Sequence, residues 1–360
     1  SNDWYAFVCD GNATSAECST GQIGTGDSGS PFIVNHAPGF SSPSNDGPKD
    51  PGATVTWSTT SSDTDSDTVK LIVCKTAGIT GDACDGGAGD TWCSSELVAS
   101  NPSCGYSIPS VAPDGASDAY VYIVDQHNFG STDAAQGSNV SFTINNVAPV
   151  VSAVTINGGS AIDLTESSTK EVTLTATVSD NNSCQDLSSV LGYVYRSGVA
   201  YSGCDTSGEA DNNYCYPEVS CSVSGASCTG STDASADYTC TVNLQYYSDP
   251  TDVNTEFPTE NWLDTIKATD DDTASDNTEV ATGVEMNSLI GFEIGYTVTA
   301  SINYGNLGPE ESNDPLDKIT TTTPTGNIGL DEELSGSANM CTDYPTCSVG
   351  TPIGVGNQEH

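Results

Sequence analysis

Positive charge is what this 360-residue sequence has least of: seven Lys and Arg stand against 49 Asp and Glu, a formal net charge of −42. Such a surface repels phosphate backbones and anionic headgroups alike, which excludes nucleic acid and anionic membranes as partners. Arg196 is the only arginine, and an ion pair is its expected use rather than catalysis. Histidine occurs three times at distant positions and no C-x2-C pair occurs, so the spacings of a structural zinc site are missing. No apolar run approaches the roughly 20 residues a membrane-spanning helix needs, so no membrane insertion is expected. Gly, Pro, Asn and Asp interrupt every candidate helix early, and the Thr and Val that dominate the remainder favour strand.

Cysteine, by contrast, is plentiful and clustered. Cys9 and Cys18 come first, then Cys74, Cys84, Cys93 and Cys104, then Cys184, Cys204, Cys215, Cys221, Cys228 and Cys240, and last Cys341 and Cys347. Every cluster is even, so disulfides closed within each region of an exported, extracellular protein are expected. Connectivity stays open, because four cysteines allow three pairings and six allow fifteen. NAT at Asn12, NVS at Asn139 and NNS at Asn181 are candidate glycosylation sequons in Ser/Thr-rich surroundings.

The chain repeats itself. WYAFVCD (4–10) matches AYVYIVD (119–125) in alternation and in its terminal Asp, and SPFIVNHAPGF (30–40) matches VSFTINNVAPV (140–150) in its Ala-Pro exit. Between them, ATVTWSTT, DTVKLIVCK, TWCSSELVAS and CGYSIPSV supply the short alternating strands of a two-sheet sandwich. EVTLTATVSD, SSVLGYVYRSG, ADYTCTVNLQYYSD and WLDTIKATDD repeat the plan after residue 149, with a cysteine-rich excursion from Cys204 to Cys228. The KATDD end fits least well, being charged where apolar alternation is expected. The expected organisation is all-β: a closing strand pair over 1–40, sandwiches over 41–148 and 149–288, and an incomplete β domain over 289–360.

This arrangement resembles the tandem immunoglobulin-like and fibronectin-like modules of microbial surface or filament-forming proteins, over Pro31 to Ser288. The resemblance implies an architecture and a role in surface coating, adhesion or appendage assembly, without a ligand. It departs from antibody domains, since Trp57 lacks the flanking cysteine spacing. GDSGSP (26–31) looks like the nucleophile stretch of chymotrypsin-like proteases with Ser28 in place. Only 27 residues precede it and His36 follows it, so a Gly/Ser turn is the better reading.

Asp63, Asp65 and Asp67 offer oxygen ligands at every second residue, and Asp180 with Asn181, Asn182 and Asp186 forms the corresponding loop of the next repeat. Both are candidate calcium loops, although the EF-hand Gly and terminal Glu are missing, and solvated acidic turns are the plainer alternative. Asp270, Asp271 and Asp272 make a further cluster. Tyr193 and Tyr195 share one sheet face, which predicts packing. No cofactor for chemistry and no acid–base or nucleophile pattern emerges, so the expected protein is not an enzyme.

The opening residues read as closing strands that need a sheet from elsewhere. An unpaired apolar strand invites pairing, and the expected partner is a second copy of the chain, giving a head-to-tail cell-surface filament. The alternatives are an adhesin that binds a surface glycan or protein through the Cys204–Cys228 excursion, and a fragment of a long tandem-repeat protein.

Overall fold

The computed structural model describes residues 35–204, 211–225, 227–294 and 321–331, with Cys9, Cys341, Thr346, Ser348 and Val349 as isolated positions. The first unit runs β1 (Gly39–Asn45), β2 (Thr54–Ser62), β3 (Val69–Cys74), a short hairpin of β4 (Ile79–Thr80) and β5 (Ala83–Cys84), then β6 (Thr91–Ser94) and β7 (Ser103–Ser107). It closes with β8 (Gly115–Ser117), β9 (Tyr120–Asp125), β10 (Ser138–Asn139) and β11 (Phe142–Ile144). One sheet has the order β1-β2-β7 and the other β10-β9-β3-β6, with β11 beside β8. All of these pairs are antiparallel. Early strands 1 and 2 thus pair with a later one while 3 pairs with 9, the crossed connection of an immunoglobulin-like sandwich.

Side-chain alternation makes the two layers. β2 buries every second residue, sending Val55 and Trp57 inward, and Trp57 meets Phe142 edge-on with ring centroids 5.4 Å apart. β3 is apolar on both faces: Leu71 and Val73 join the core between the sheets, while Ile72 and Cys74 pack with Cys84 and Tyr122 on the outer face. The Cys93–Cys104 disulfide links β6 to β7 and therefore one sheet to the other, and Cys74–Cys84 ties the β4-β5 hairpin down on β3.

The second unit repeats the order with longer strands: β12 (Val150–Ile156), β13 (Thr169–Ser179), β14 (Leu187–Arg196), β15 (Cys215–Ser220), β16 (Ser222–Val223), β17 (Ser235–Gln245), β18 (Trp262–Asp270) and β19 (Ser275–Glu279). Its sheets are β12-β13-β17-β16 and β15-β14-β18-β19. β13 and β17 stay in register from Thr169 opposite Gln245 to Ser179 opposite Ser235. Their inward Leu174, Val178, Tyr238 and Leu244 meet Val190, Val194, Ile266 and Ala268 of the facing sheet. Gly192 permits that approach: a Cβ there would lie 2.8 Å from Leu174 Cδ1.

The cysteine-rich excursion is fastened by Cys184–Cys228, Cys204–Cys215 and Cys221–Cys240. The five described disulfides stay within the clusters the sequence delimits, as an exported protein requires. A third unit contributes β20 (Phe292–Ile294) paired with β21 (Thr322–Pro324).

Among the described residues helical structure is limited to short 3-10 turns, and no helix is long and apolar enough to cross a membrane. The expected leading strand pair falls largely outside the described residues, as do Asn12, Cys18, Ser28 and Cys347.

Candidate functional site: the junctions between sandwiches

Each sandwich is entered through the same motif, Asn35-His36-Ala37-Pro38 before the first and Asn146-Val147-Ala148-Pro149 before the second. Proline pushes the residue before it to extended geometry, so both linkers run straight into the first strand. Side chains of the following sandwich then hold each linker. Asn146 Nδ2 donates to Asp270 Oδ2 at 3.0 Å, and Asn35 Nδ2 donates to Asp125 Oδ2 at 2.6 Å. Asp270 and Asp125 end the equivalent strands β18 and β9, and each is 1% exposed. Backbone N–H groups hold their other oxygens, from Ala274 to Asp270 and from His127 and Phe129 to Asp125.

The loops after β13 and β2 supply the second arm of the clamp. Val147 N–H donates to Asn182 Oδ1 at 2.7 Å, and His36 N–H donates to Asp65 Oδ2 at 2.6 Å. Two residues earlier in each loop an aspartate braces the turn: the Asn182 N–H donates to Asp180 Oδ1 and the Asp65 N–H to Asp63 Oδ1, both at 2.7 Å. Asn182, 1% exposed, also reaches back into the first sandwich. Its Nδ2 donates to Ala112 O at 3.2 Å and to Asn145 O at 3.0 Å, and Ala112 N–H donates to Asn181 O at 3.0 Å.

A third joint follows the second sandwich. Asn327 Oδ1 accepts from Leu289 N–H at 2.6 Å, while its Nδ2 donates to Ser248 O at 3.0 Å and Asn287 O at 3.2 Å. These are the bonds of Asn182, transposed by one repeat. Thr325 stands where Asp180 would, and its hydroxyl donates to Glu166 Oε1 at 2.7 Å.

At the junction of the two sandwiches Asp180, Asp186 and Asp270 bring carboxylate oxygens within 4.8 Å of one another. Asp180 Oδ2, Asp186 Oδ2 and Asn146 Oδ1 are buried without a hydrogen-bond donor. Burial pushes the Asp186 carboxyl up to about 7, helped by its hydrogen bond with Asp271 and by the charges of Asp271, Asp180 and Asp114. Burial also raises Asp180, with Asp270 and Asp114 adding to it against the N–H groups of Asn182 and Ser183. Asp114 is raised by burial and by the charges of Asp272 and Asp271. Among the described residues Lys49, Lys70 and Arg196 make their ion pairs elsewhere, with Asp46, with Asp82, and with Asp249 and Glu260.

The first junction has the same plan. Asp63, Asp65 and Asp67 place oxygens within 4.8 Å of one another, and Asp63 Oδ2 and Asn35 Oδ1 are buried without a donor. Here histidines stand alongside: His36 Nδ1 is 2.9 Å from Asp65 and His127 Nε2 is 3.6 Å from Asp67. The His36 backbone N–H, then its ring, hold the Asp65 carboxyl below the usual range.

No family model matches the chain, and no curated protein matches it. Solved structures that resemble it include a chimeric titin Z1Z2 carrying an exogenous decorin peptide, at 10% identity over 71% of this chain and 98% of that one, TM-score 0.20. A marsupial T cell receptor aligns at 9% identity over 71% of this chain and 76% of that one, TM-score 0.26. A chain of the complex of Dpr2 Ig1-Ig2 with DIP-Theta Ig1-Ig3 aligns at 14% identity over 70% of this chain and 100% of that one, TM-score 0.19. With TM-scores this low the likenesses carry no argument, and the sandwich assignment stands on the strand order of the two units themselves.

Both predicted calcium loops are brought together, Asp63 with Asp65 and Asp67, and Asp180 with Asp186. Asp270 joins the second loop, a partnership that sequence spacing does not reveal across about ninety residues, whereas the recurring Asp at the end of AYVYIVD and of the WLDTIKATD strand is the signal that marks it. Asp114 carries no such signal, whereas Asn182 lies in the loop the sequence marks and Asn146 recurs as Asn35 in the linker motif. Of the sequons, Asn139 is exposed with its Nδ2 donating to Asp118 at 2.7 Å, and Asn181 is exposed at the joint. Tyr193 and Tyr195 are packed with Cys204 and Cys215, on the face opposite Val194. Arg196 is ion-paired, with its guanidinium 3.5 Å from the Phe257 ring centroid.

Proposed function

We propose that the chain is a structural subunit of an extracellular cell-surface filament, in which sandwiches are strung in series and their joints are held stiff. The observation that carries this reading is the clamp at three successive junctions, an Asn or Asp side chain taking the linker N–H each time. A flexible string of domains needs no such bonds, whereas a load-bearing one gains from every joint that resists bending. Disulfides within each sandwich add resistance to unfolding, typically about 2–4 kcal/mol per bridge.

Growth in this reading is head to tail. The WYAFVCD segment repeats the pattern of β9, which lies between β3 and β10. A strand of that pattern is satisfied inside an equivalent sheet, and in the proposed filament a second copy of the chain supplies it. Electron microscopy of the purified full chain tests this: fibres one sandwich wide are expected, and stiff rods that never lengthen with concentration or time would overturn head-to-tail growth.

A further inference from the structure

We propose that the junction between the two sandwiches is a binding site for a calcium-class divalent cation, and that the junction before the first sandwich is its twin. The inference concerns the joints themselves and stands apart from filament assembly.

The second junction brings oxygens of Asp180, Asp186 and Asp270 within 4.8 Å of one another, with the charges of Asp114 and Asp271 acting on Asp186. Unpaired buried carboxylates are expensive to hold in a protein interior, and no described Lys or Arg is spent on them. The decisive side chain is Asp180. It is 2% exposed, its Oδ1 is committed to the Asn182 N–H, its Oδ2 is buried without a donor, and one of its oxygens lies within 4.8 Å of oxygens of Asp186 and Asp270. Asn146 turns its amide nitrogen to Asp270 and leaves its Oδ1 equally unmatched. Three oxygens without a protein donor, on Asp180, Asp186 and Asn146, are the ligand type a hard cation takes.

The twin junction repeats the pair of unmatched oxygens, although its Asp65 and Asp67 also accept from His36 and Gln126. Asp63 commits Oδ1 to the Asp65 N–H and leaves Oδ2 without a donor, while Asn35 gives its nitrogen to Asp125 and leaves Oδ1 without one. Two joints that preserve the same pair of unsatisfied oxygens, amid loops of different length, have a common reason to do so. The third joint supplies the contrast: Thr325 replaces the aspartate and satisfies itself on Glu166, and no cation is assigned there.

The donors are all oxygen and hard, which selects Ca²⁺ or Mg²⁺ over thiolate- and imidazole-seeking metals. Ligands on opposite sides of a Ca²⁺ ion stand up to about 5 Å apart at its bond lengths of 2.3–2.6 Å, so oxygens within 4.8 Å of one another can share one ion. Because Asn146 belongs to the linker while Asp180, Asp186 and Asp270 belong to the second sandwich, a bound cation fastens the linker to the domain it leads into.

Titration of the chelator-stripped full chain with CaCl2 tests the assignment. Saturable binding of two equivalents is expected, with a dissociation constant of about 0.1–1 mM, the range of extracellular modules. Hydrogen exchange at the His36 and Val147 amides should slow along the same curve. Asp180→Asn/Asp186→Asn is expected to lose one equivalent and the protection of Val147 alone. A control with the same charge change, Glu96→Gln/Glu171→Gln, keeps both. Should the double variant not fold, Asp186→Asn alone, at a half-buried position, is expected to weaken one equivalent about tenfold. A titration that never saturates, or junction variants that titrate like the control, would overturn the site and show only diffuse attraction to a chain of net charge −42.

Discussion

Asp264 is fully buried in β18 and neither of its carboxylate oxygens finds a donor. Burial pushes this carboxyl up to about 7, with the charge of Glu279 adding to it and the residue's own backbone N–H opposing, against 3.8 in an unconstrained chain. Between those two values the folded protein binds more protons than the unfolded one, so stability falls as pH rises through the window and is lowest above it. About three pKa units correspond to a loss on the order of 4 kcal/mol. Asp264→Asn is neutral at every pH, so its stability relative to the native chain is expected to climb by that order between pH 4 and pH 8. Urea unfolding of both proteins at the two pH values measures it, and parallel pH profiles would contradict the assignment. The aspartates of the junctions differ from Asp264, since Asp180, Asp186 and Asp270 bring oxygens within 4.8 Å of one another whereas Asp264 belongs to no such cluster among the described residues.

The strands were legible where one face is wet. β2, β13 and β17 alternate buried and exposed residues almost without a break, and their extents follow that alternation. β18 was less so, because its charged end is where Asp270 turns inward to meet the linker, a contact set by the neighbouring repeat and not by the strand. Cysteine clustering fixed the regions within which bridges form, but not that Cys184 joins Cys228 across the excursion; six thiols allow too many pairings for spacing to decide. Asn182 was read only as one polar residue of an acidic loop, and its role needs the loop at Ala112 to be brought against it by the fold. At this scale the Cys184–Cys228 bridge, with a sequence separation of 44, is the one among the described bridges whose loss costs most in chain entropy. Cys184→Ser/Cys228→Ser is expected to lower unfolding free energy by about 4 kcal/mol. Denaturant unfolding reads this, and a loss below 1 kcal/mol would mean that the excursion is already ordered in the unfolded chain.

On the scale of the whole molecule, the two units reproduce one strand order and one linker motif, so the chain is a serial structure whose properties are those of its joints. Separate sandwiches linked only by a peptide reorient freely by default. What opposes this here is concentrated in Asn182, which bonds Val147 in the linker and both Asn145 and Ala112 behind it. Residual dipolar couplings of the full chain, measured separately for residues 39–144 and 150–279, test the stiffness of that joint most directly. A single alignment tensor is expected to fit both sandwiches in the native chain, and two tensors of unequal magnitude in Asn182→Ala with each core intact. Two tensors already in the native chain would contradict the account, leaving a flexible string of sandwiches in place of a stiff one.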